Sequence, residues 1–182
     1  MKRHFLTSLF VFLVSLGAFC KDNYSHKTYV QGTDITYRVI VEPDEDDPFI
    51  ILDNINNVLS DKYPYDKATK QYYSDAMHPM PLAEPDYDLL KEIVDSVFSN
   101  ADKTKYFSDN CELWVTLRIN PITSHAIEMM FHIEYTPKDK RILSLPVSKL
   151  EQLEKALKKD LIFKVPSAGK DADFLLLSGR VF

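Results

Sequence analysis

Two neighbouring segments in the second half of the chain alternate regularly between apolar and polar residues. They span 112–120 and 125–136, and a short connection joins them. Because successive side chains of a strand point to opposite faces, this period of two predicts two strands with one apolar and one polar face. We expect an antiparallel pair whose apolar face is covered and whose polar face is largely in contact with water. The residues expected on the covered face are Leu113, Val115, Leu117, Ile119, Ile127, Met129, Phe131, Ile133 and Tyr135.

Apolar residues at helical spacing predict helices beside this sheet. The first helix is expected at 48–60, and the second begins after Pro85 with acidic residues in its first turn. Another helix is expected to begin at the capping-box pattern of Ser148 and Glu151 and to continue to about residue 160. The predicted fold class is therefore α+β, with an antiparallel sheet packed on one face by two or three helices.

Shorter runs of alternating or apolar residues predict the remaining strands. A hairpin is expected from 27–31 and 34–42, because glycine lies between the two runs. Further short strands are expected at 141–145, 161–165 and 173–182. The connection before the first long strand, from residue 99 to residue 110, is polar and is expected to be a loop.

The composition is that of a globular protein, with 45% hydrophobic and 27% charged residues. Such values argue against a disordered or collagen-like chain. We expect residues 1–20 to form a signal peptide and residues 21–182 to form a single α+β domain. A division of this domain into 21–84 and 85–182 is an alternative, because tyrosine and proline concentrate at 61–85.

The first residues of the chain have the order of a secretory signal. Lys2 and Arg3 form a basic start, an uncharged apolar run covers 5–16, and small residues follow it. This order predicts export from the cytoplasm. The apolar run is also shorter than the roughly 20 residues that a membrane-spanning helix needs.

The end of the signal leaves three alternatives for Cys20. Cleavage after Cys20 leaves Cys111 as the cysteine of the mature chain, and we expect Cys111 to be a small buried residue. Cleavage after Ala18 allows a disulfide between Cys20 and Cys111, because an oxidising compartment permits such bonds. In the third alternative, Cys20 is lipidated and anchors the protein to the membrane.

The charge balance of the mature chain excludes two classes of partner. Removing residues 1–20 takes away Lys2 and Arg3, so 20 Lys and Arg face 27 Asp and Glu, and the net charge changes from −5 to −7. Nucleic acid and anionic membrane surfaces are both bound through clustered positive charge. We therefore expect no nucleic acid as a partner, and a membrane contact only through a lipid on Cys20.

The helix segment 150–157 reads Leu-Glu-Gln-Leu-Glu-Lys-Ala-Leu, and an F-x-P-like run, Ile-Phe-Lys-Val-Pro, follows at 162–166. With the two long strands before them, these segments resemble the TonB C-terminal domain, and the resemblance covers residues 112–182. It implies a periplasmic interaction fold with an available sheet edge. The whole chain also resembles the short, uncharacterised exported proteins of Gram-negative envelopes, which implies a periplasmic or envelope location.

Three residues on the polar face of the second long strand form a candidate metal site. Glu128, His132 and Glu134 alternate along that strand and share one face. Imidazole and carboxylate groups are ligands of Zn²⁺, and a fourth ligand would have to come from elsewhere in the fold. The alternative interpretation is a polar sheet face in contact with water.

The sequence contains none of the motifs that we associate with catalysis. It has no G-x-S-x-G segment to expose a serine, and no G-x-G-x-x-G or G-x-x-x-x-G-K-[ST] segment. With only 4 glycines, a backbone cradle for phosphate groups is difficult to build. We therefore predict no catalytic residue and no cofactor.

A tyrosine-rich segment supplies the candidate binding residues Tyr63, Tyr65, Tyr72 and Tyr73. Tyrosine combines a large apolar ring with a polar hydroxyl, which suits contacts with proteins or sugars. The alternative is that these rings anchor a loop to the core.

These observations favour a non-enzymatic envelope protein that binds another protein or a peptide, for example by strand addition at a sheet edge. Two alternatives stay open. One is a small metal-dependent or hydrolytic enzyme that uses Glu128, His132, Glu134 or Cys111. The other is a surface lipoprotein that binds glycan through the four tyrosines.

Overall fold

The computed structural model describes residues 22–42, 48–74 and 77–181, and its centre is a six-stranded antiparallel sheet. The strands in chain order are β1 (Tyr29–Gln31), β2 (Thr36–Glu42), β3 (Phe49–Asn54), β4 (Tyr65–Asp66), β5 (Gln71–Tyr72), β6 (Glu84–Pro85), β7 (Cys111–Ile119), β8 (Ala126–Tyr135), β9 (Phe163–Lys164) and β10 (Leu175–Arg180). The order within the large sheet is β1-β2-β3-β8-β7-β10, so β1 and β10 lie at its edges. β4 pairs with β5, and β6 pairs with β9, in two small separate sheets.

The helices of the described residues are α1 (Tyr87–Val97), α2 (Asn100–Tyr106) and α3 (Val147–Asp160). α3 packs against β8, and α1 packs against α3, so helices cover one face of the sheet. The predicted α+β class, with helices packed on an antiparallel sheet, is confirmed. No helix in the described part of the chain is long and apolar enough to cross a membrane.

The two long alternating segments form the centre of the sheet as predicted. Leu113 lies opposite Ile133, and Val115 lies opposite Phe131, and all four side chains are buried. The alternation fails at Ile127, because the register shifts so that Ile119 pairs with Ala126 instead. This irregularity leaves Ile127 outside the ladder and 37% exposed, so its expected place on the covered face is wrong.

The predicted helix at 48–60 is wrong, because this segment forms β3 (Phe49–Asn54) between β2 and β8. Its apolar residues fit helical spacing, but Ile50 and Leu52 alternate on one face and are fully buried. β-branched and aromatic residues at its start favour a strand, and pairing with neighbours on both sides outweighs the helical pattern.

Smaller differences occur in the connections. Residues Arg141–Ser144 form a 3₁₀ helix instead of a strand, and the expected strand at 161–165 is reduced to β9. The polar connection at 99–110 contains α2, which begins with a capping box between Ser99 and Asp102. A local capping pattern in polar sequence was therefore sufficient to begin a short helix.

Two buried carboxylates of α3 hold the N-terminal strands in place. Glu151 does not close the predicted capping box, since α3 begins at Val147 and the Glu151 carboxylate accepts the N–H groups of Thr33 and Asp34. Burial alone would raise the pKa of Glu151, but hydrogen bonds from Lys155 and these backbone groups outweigh it and lower the pKa. This carboxylate therefore fixes the turn between β1 and β2 to α3.

Glu154 occupies a deeper position on the same helix and is 1% exposed. Its carboxylate accepts hydrogen bonds from the Tyr37 hydroxyl at 2.8 Å and from Asn54 Nδ2 at 2.9 Å. Burial, together with this neighbouring carboxylate, raises the pKa of Tyr37 above its usual range. The contacts connect α3 to both β2 and β3.

Cys111 is buried and forms no disulfide with any described residue, and its Sγ lies 3.2 Å from the carbonyl oxygen of Asp139. Burial raises the pKa of this thiol. Cys20 and the expected signal peptide lie outside the described residues. The lipid, the disulfide, the cleavage site and the domain boundaries stay predictions.

Candidate functional site

β10 forms one edge of the sheet, and half of its backbone groups point away from the sheet. The N–H of Val181 donates to the carbonyl oxygen of Leu113 at 2.8 Å, and Gly179 lies opposite Val115. Because alternate residues of an antiparallel strand bond to the same neighbour, the odd-numbered residues face β7 and the even-numbered residues face outward. In the part of the chain that the structure describes, the outward backbone groups of Ser178 have no partner.

Arg180 presents a second outward set of backbone groups. Leu176 differs, because its N–H donates to a methionine sulfur at 3.3 Å. The side chains of Ser178 and Arg180 lie on the face of the sheet away from the helices, where each forms a hydrogen bond. The Ser178 hydroxyl lies 2.9 Å from the Thr116 hydroxyl, and Arg180 donates to Glu112 at 2.7 Å. The outward backbone groups of Ser178 and Arg180 are therefore not blocked by the side chains of these two residues.

An apolar groove of about 140 Å³ lies beside this edge, on the face that the helices cover. We call it the edge groove, and its lining includes Tyr87, Leu90, Leu157, Leu161, Leu177 and Val181. Gly179 forms part of the wall, and a Cβ built on it has no heavy atom within 4 Å. The absent side chain therefore keeps the groove open. Tyr87 is 70% exposed, which places a large aromatic ring within reach of a partner.

The face of the sheet away from the helices is less exposed to solvent than the alternation predicts, because residues 55–62 lie over part of it. Arg118 is only 3% exposed, and its Nη2 donates to the carbonyl oxygen of Ser60 at 2.7 Å. Asp53, also buried, accepts hydrogen bonds from Asn57 and from the Ser60 hydroxyl. Burial lowers the pKa of Arg118, while neighbouring carboxylates act in the opposite direction.

The three candidate metal ligands are placed on this face but have separate roles. Glu128 is buried and accepts the N–H groups of Val58 and Leu59, at 2.7 and 3.0 Å. His132 Nε2 lies 3.0 Å from the Thr116 hydroxyl, and burial lowers its pKa. Glu134 is exposed. Among residues 22–42, 48–74 and 77–181, no group of three or more His, Cys, Asp or Glu could hold a metal ion.

The structure brings three of the four predicted tyrosines together in an open cleft of about 440 Å³. We call it the tyrosine cleft, and its lining is Asp61, Lys62, Tyr63, Tyr65, Tyr72 and Asp173. Tyr65 and Tyr72 are opposite each other in β4 and β5, and their rings meet edge to face with centroids 5.1 Å apart. Tyr63 is 75% exposed and Tyr72 is 65% exposed.

Tyr73 is separated from the other three tyrosines. It is buried and stacks on the His78 ring, with centroids 4.6 Å apart and planes 3° from parallel. His78 Nε2 in turn lies 3.0 Å from Asp66 Oδ2. Burial, followed by nearby carboxylates, raises the pKa of Tyr73. This tyrosine matches the alternative interpretation, in which the ring anchors a loop to the core.

The residues of the edge groove were not among those predicted from the sequence. One signal was present in Gly179, because an isolated glycine within a strand pattern indicates a bulge or a close approach by another backbone. The other lining residues are ordinary apolar residues of helices and strands. Their convergence depends on how α1 and α3 pack on the sheet, which no local pattern encodes.

Comparisons with known proteins connect the chain to one family. The model of a family described as "Domain of unknown function (DUF5043)" matches residues 23–179. A crystal structure of a DUF5043 family protein from Bacteroides uniformis has a TM-score of 0.68 and 22% identity, over 88% of this chain and 93% of that chain. At this identity, the likeness shows the fold alone. No curated protein matches the chain. The TonB resemblance stays a prediction.

Proposed function

The chain belongs to the DUF5043 family, and from that premise we propose that this member binds an extended segment of another protein by strand addition at β10. The observation that carries the proposal is the outward backbone of Ser178 and Arg180 beside an apolar groove. In strand addition, hydrogen bonds of the backbone provide affinity, and pockets for alternate side chains provide specificity. Outward backbone groups and an apolar groove are both present along β10.

The geometry also supports a proposal about the chemistry of the partner segment. An added strand would pair with the N–H and C=O groups of Ser178 and Arg180. Every second side chain of that strand would point toward the helices and the edge groove, because side chains alternate across a strand. A cavity of about 150 Å³ holds a benzene molecule, so a groove of this size suits one apolar side chain of the size of Leu or Phe.

The preference for an apolar anchor follows from the lining. Leu157 of α3 and Leu161, which directly follows α3, form one wall, and Leu177 of β10 forms the other. Burying a Leu or Phe side chain against such walls contributes about 1.5–3 kcal/mol. We place the interaction in the cell envelope, on the strength of the signal pattern at residues 1–20, and we propose no catalytic step for it.

The alternative of a metal-dependent or hydrolytic enzyme is not proposed. Glu128 and His132 make contacts with different parts of the fold, and Glu134 is exposed. Cys111 is buried on β7, with its thiol next to a carbonyl oxygen. These side chains do not converge on one pocket, so they carry no catalytic proposal.

A proline substitution at Ser178 tests strand addition. The N–H of Ser178 points away from β7, so Ser178→Pro removes an outward donor and blocks the edge without removing a hydrogen bond of the ladder. The probe is a fluorescent peptide selected from phage-displayed random dodecamers on the wild-type protein, and its Kd is measured by anisotropy. We expect Ser178→Pro to weaken binding about tenfold or more, since a hydrogen bond and strand pairing are lost.

The matched control is Ser178→Ala, which retains the backbone N–H and removes only the contact with Thr116. We expect its Kd to stay within about twofold of the wild type, as is usual for an exposed substitution. Equal peptide affinity of the proline and alanine variants would contradict strand addition at β10.

A further inference from the structure

The tyrosine cleft does not stand alone on the surface. A second hollow, of about 430 Å³, adjoins it and shares Asp61 and Lys62 with it. We call this second hollow the polar hollow, and its other lining residues include Tyr29, Arg38, Asp53, Asn57 and Ser60. Because they share two lining residues, the two hollows are neighbours on the surface, an arrangement that suits a ligand made of linked units.

Two of the three aromatic rings in the tyrosine cleft are largely exposed. Tyr63 and Tyr72 are 75% and 65% exposed. No hydrogen bond of the described residues uses the hydroxyl of Tyr63, Tyr65 or Tyr72. Large exposed aromatic groups in one cleft are a mark of a binding surface, since rings of this size are usually at least partly buried.

Hydrogen bonds hold the backbone beside the tyrosine cleft in place. The Tyr65 N–H donates to Asp173 Oδ1 at 2.8 Å, and the Asp173 N–H donates to the Tyr65 carbonyl oxygen at 2.9 Å. The N–H of Tyr73 donates to the carbonyl oxygen of Pro64 at 3.0 Å, and its ring is buried against His78. A site whose groups are held in place loses less entropy on binding, which favours binding at Tyr65 and Tyr72, whose rings also contact each other.

We propose that the tyrosine cleft and the polar hollow bind a neutral oligosaccharide. The flat C–H face of a sugar ring packs on the face of an aromatic ring, which carries partial negative charge. The carboxylates of Asp61 and Asp173 accept hydrogen bonds from sugar hydroxyls, and Lys62 donates to them. In the polar hollow, Arg38 offers further donors, since its bond to Asp53 uses only Nη2, while Asn57 and Ser60 donate to Asp53 and offer only their oxygens as acceptors.

The charges of the tyrosine cleft select neutral sugars over acidic ones. Asp61 and Asp173 outnumber Lys62 there, so a uronate or sulfate group in the cleft would meet net negative charge. This site is separate from the β10 edge, since none of its lining residues belongs to the edge groove. The proposal therefore does not depend on the peptide-binding function.

The test measures binding of neutral and acidic hexasaccharides by isothermal titration calorimetry. The neutral probes are cellohexaose, maltohexaose, xylohexaose, laminarihexaose and mannohexaose. The acidic probes are hexagalacturonate and a heparin hexasaccharide. We expect at least one neutral probe to bind and the acidic probes to bind at least tenfold more weakly. The absence of binding by every neutral probe, or tighter binding of an acidic probe, would overturn the proposal.

Substitutions then locate the site. We expect Tyr72→Ala and Tyr63→Ala each to weaken binding of the best neutral probe at least tenfold, while Tyr72→Phe retains the ring and stays within about threefold. Ile122→Ala is the matched control, because Ile122 is an exposed apolar residue outside both hollows. Unchanged affinity in the Tyr63→Ala and Tyr72→Ala variants would place the sugar elsewhere and overturn the proposal.

A cross-comparison keeps the two binding proposals distinguishable. Tyr72→Ala is expected to leave the Kd of the selected peptide unchanged, and Ser178→Pro is expected to leave the Kd of the sugar unchanged. Circular dichroism confirms that each variant is folded. A variant that loses both ligands while folded would contradict the assignment of two separate sites.

Discussion

Gly179→Leu is expected to weaken peptide binding at least 100-fold and, at the same time, to make the fold more stable. The new side chain would enter the edge groove, where a Cβ at this position meets no heavy atom within 4 Å. It would occupy the space that an apolar side chain of the partner needs. Losing that anchor corresponds to about 2.7 kcal/mol of binding free energy for a 100-fold change in Kd.

The expected gain in stability has a separate cause. Gly179 lies within β10 and has no positive φ angle, so an L-residue fits its backbone without strain. Glycine inside a strand costs roughly 0.5–1 kcal/mol relative to alanine, because it loses more conformational freedom on folding. The leucine would also cover apolar side chains of the groove. Urea denaturation is expected to show a higher midpoint for the variant.

A variant that is more stable but does not bind the peptide would show that the leucine blocks the edge groove and does not damage the fold. Gly179→Ala is the control, because a methyl group leaves most of the groove open. We expect its peptide affinity to stay within about threefold of the wild type, since it adds a single carbon atom. Gly179→Leu with unchanged peptide affinity would show that the groove does not receive a partner side chain.

Glu154→Ala is expected to lower the free energy of unfolding by about 2–6 kcal/mol, because two buried neutral groups lose their acceptor. The substitution leaves the Tyr37 hydroxyl and the Asn54 amide buried without their acceptor. Each unsatisfied group costs about 1–3 kcal/mol. The measurement is urea denaturation followed by circular dichroism, with both variants compared at one pH.

The control for this prediction is Glu154→Gln, which keeps the size of the side chain. Its amide oxygen can accept from Asn54, and its NH₂ group can donate to the Tyr37 hydroxyl oxygen after that hydroxyl rotates. We expect a loss of about 1 kcal/mol, as for replacement of one hydrogen bond by a weaker one. Equal stability of the alanine and glutamine variants would contradict the role assigned to the Glu154 carboxylate.

The parts of the fold that follow from local pattern were predictable from the sequence. The long alternating runs of β7 and β8 and the apolar stripe of α1 each bury one face against the core, so their period identifies them. The segment of β3 was not predictable in this way. Its residues satisfy both periods, and pairing with β2 and β8 adds to the strand preference of its first residues to decide between helix and strand.

Other features depend on contacts between distant residues. The shift in register that exposes Ile127 leaves the alternation of the sequence intact, so no pattern signals it. The polar face was expected to be wet because Arg118 and Glu128 are charged. Residues 55–62 cover these two side chains because Arg118 and Glu128 form hydrogen bonds with backbone groups of that segment. Backbone groups do not depend on residue type, so no sequence pattern signals these contacts.

The candidate sites also differ in whether the local sequence identifies them. Tyr63, Tyr65 and Tyr72 were selected from composition, since tyrosines concentrated in one segment also lie close in space. The edge groove combines residues of α1, α3 and β10, which are far apart in the chain. An available sheet edge was expected only from the TonB resemblance, and its position at β10 required the topology of the sheet.

The most direct test of strand addition is amide hydrogen exchange, measured by NMR on the wild-type protein with and without the selected peptide. We predict that the peptide slows exchange at Ser178 and Arg180 about tenfold or more, because an added strand would accept hydrogen bonds from both amides. Leu177 and Gly179, which already bond to β7, should change little. A bound peptide that leaves the exchange of Ser178 and Arg180 unchanged would contradict strand addition at β10.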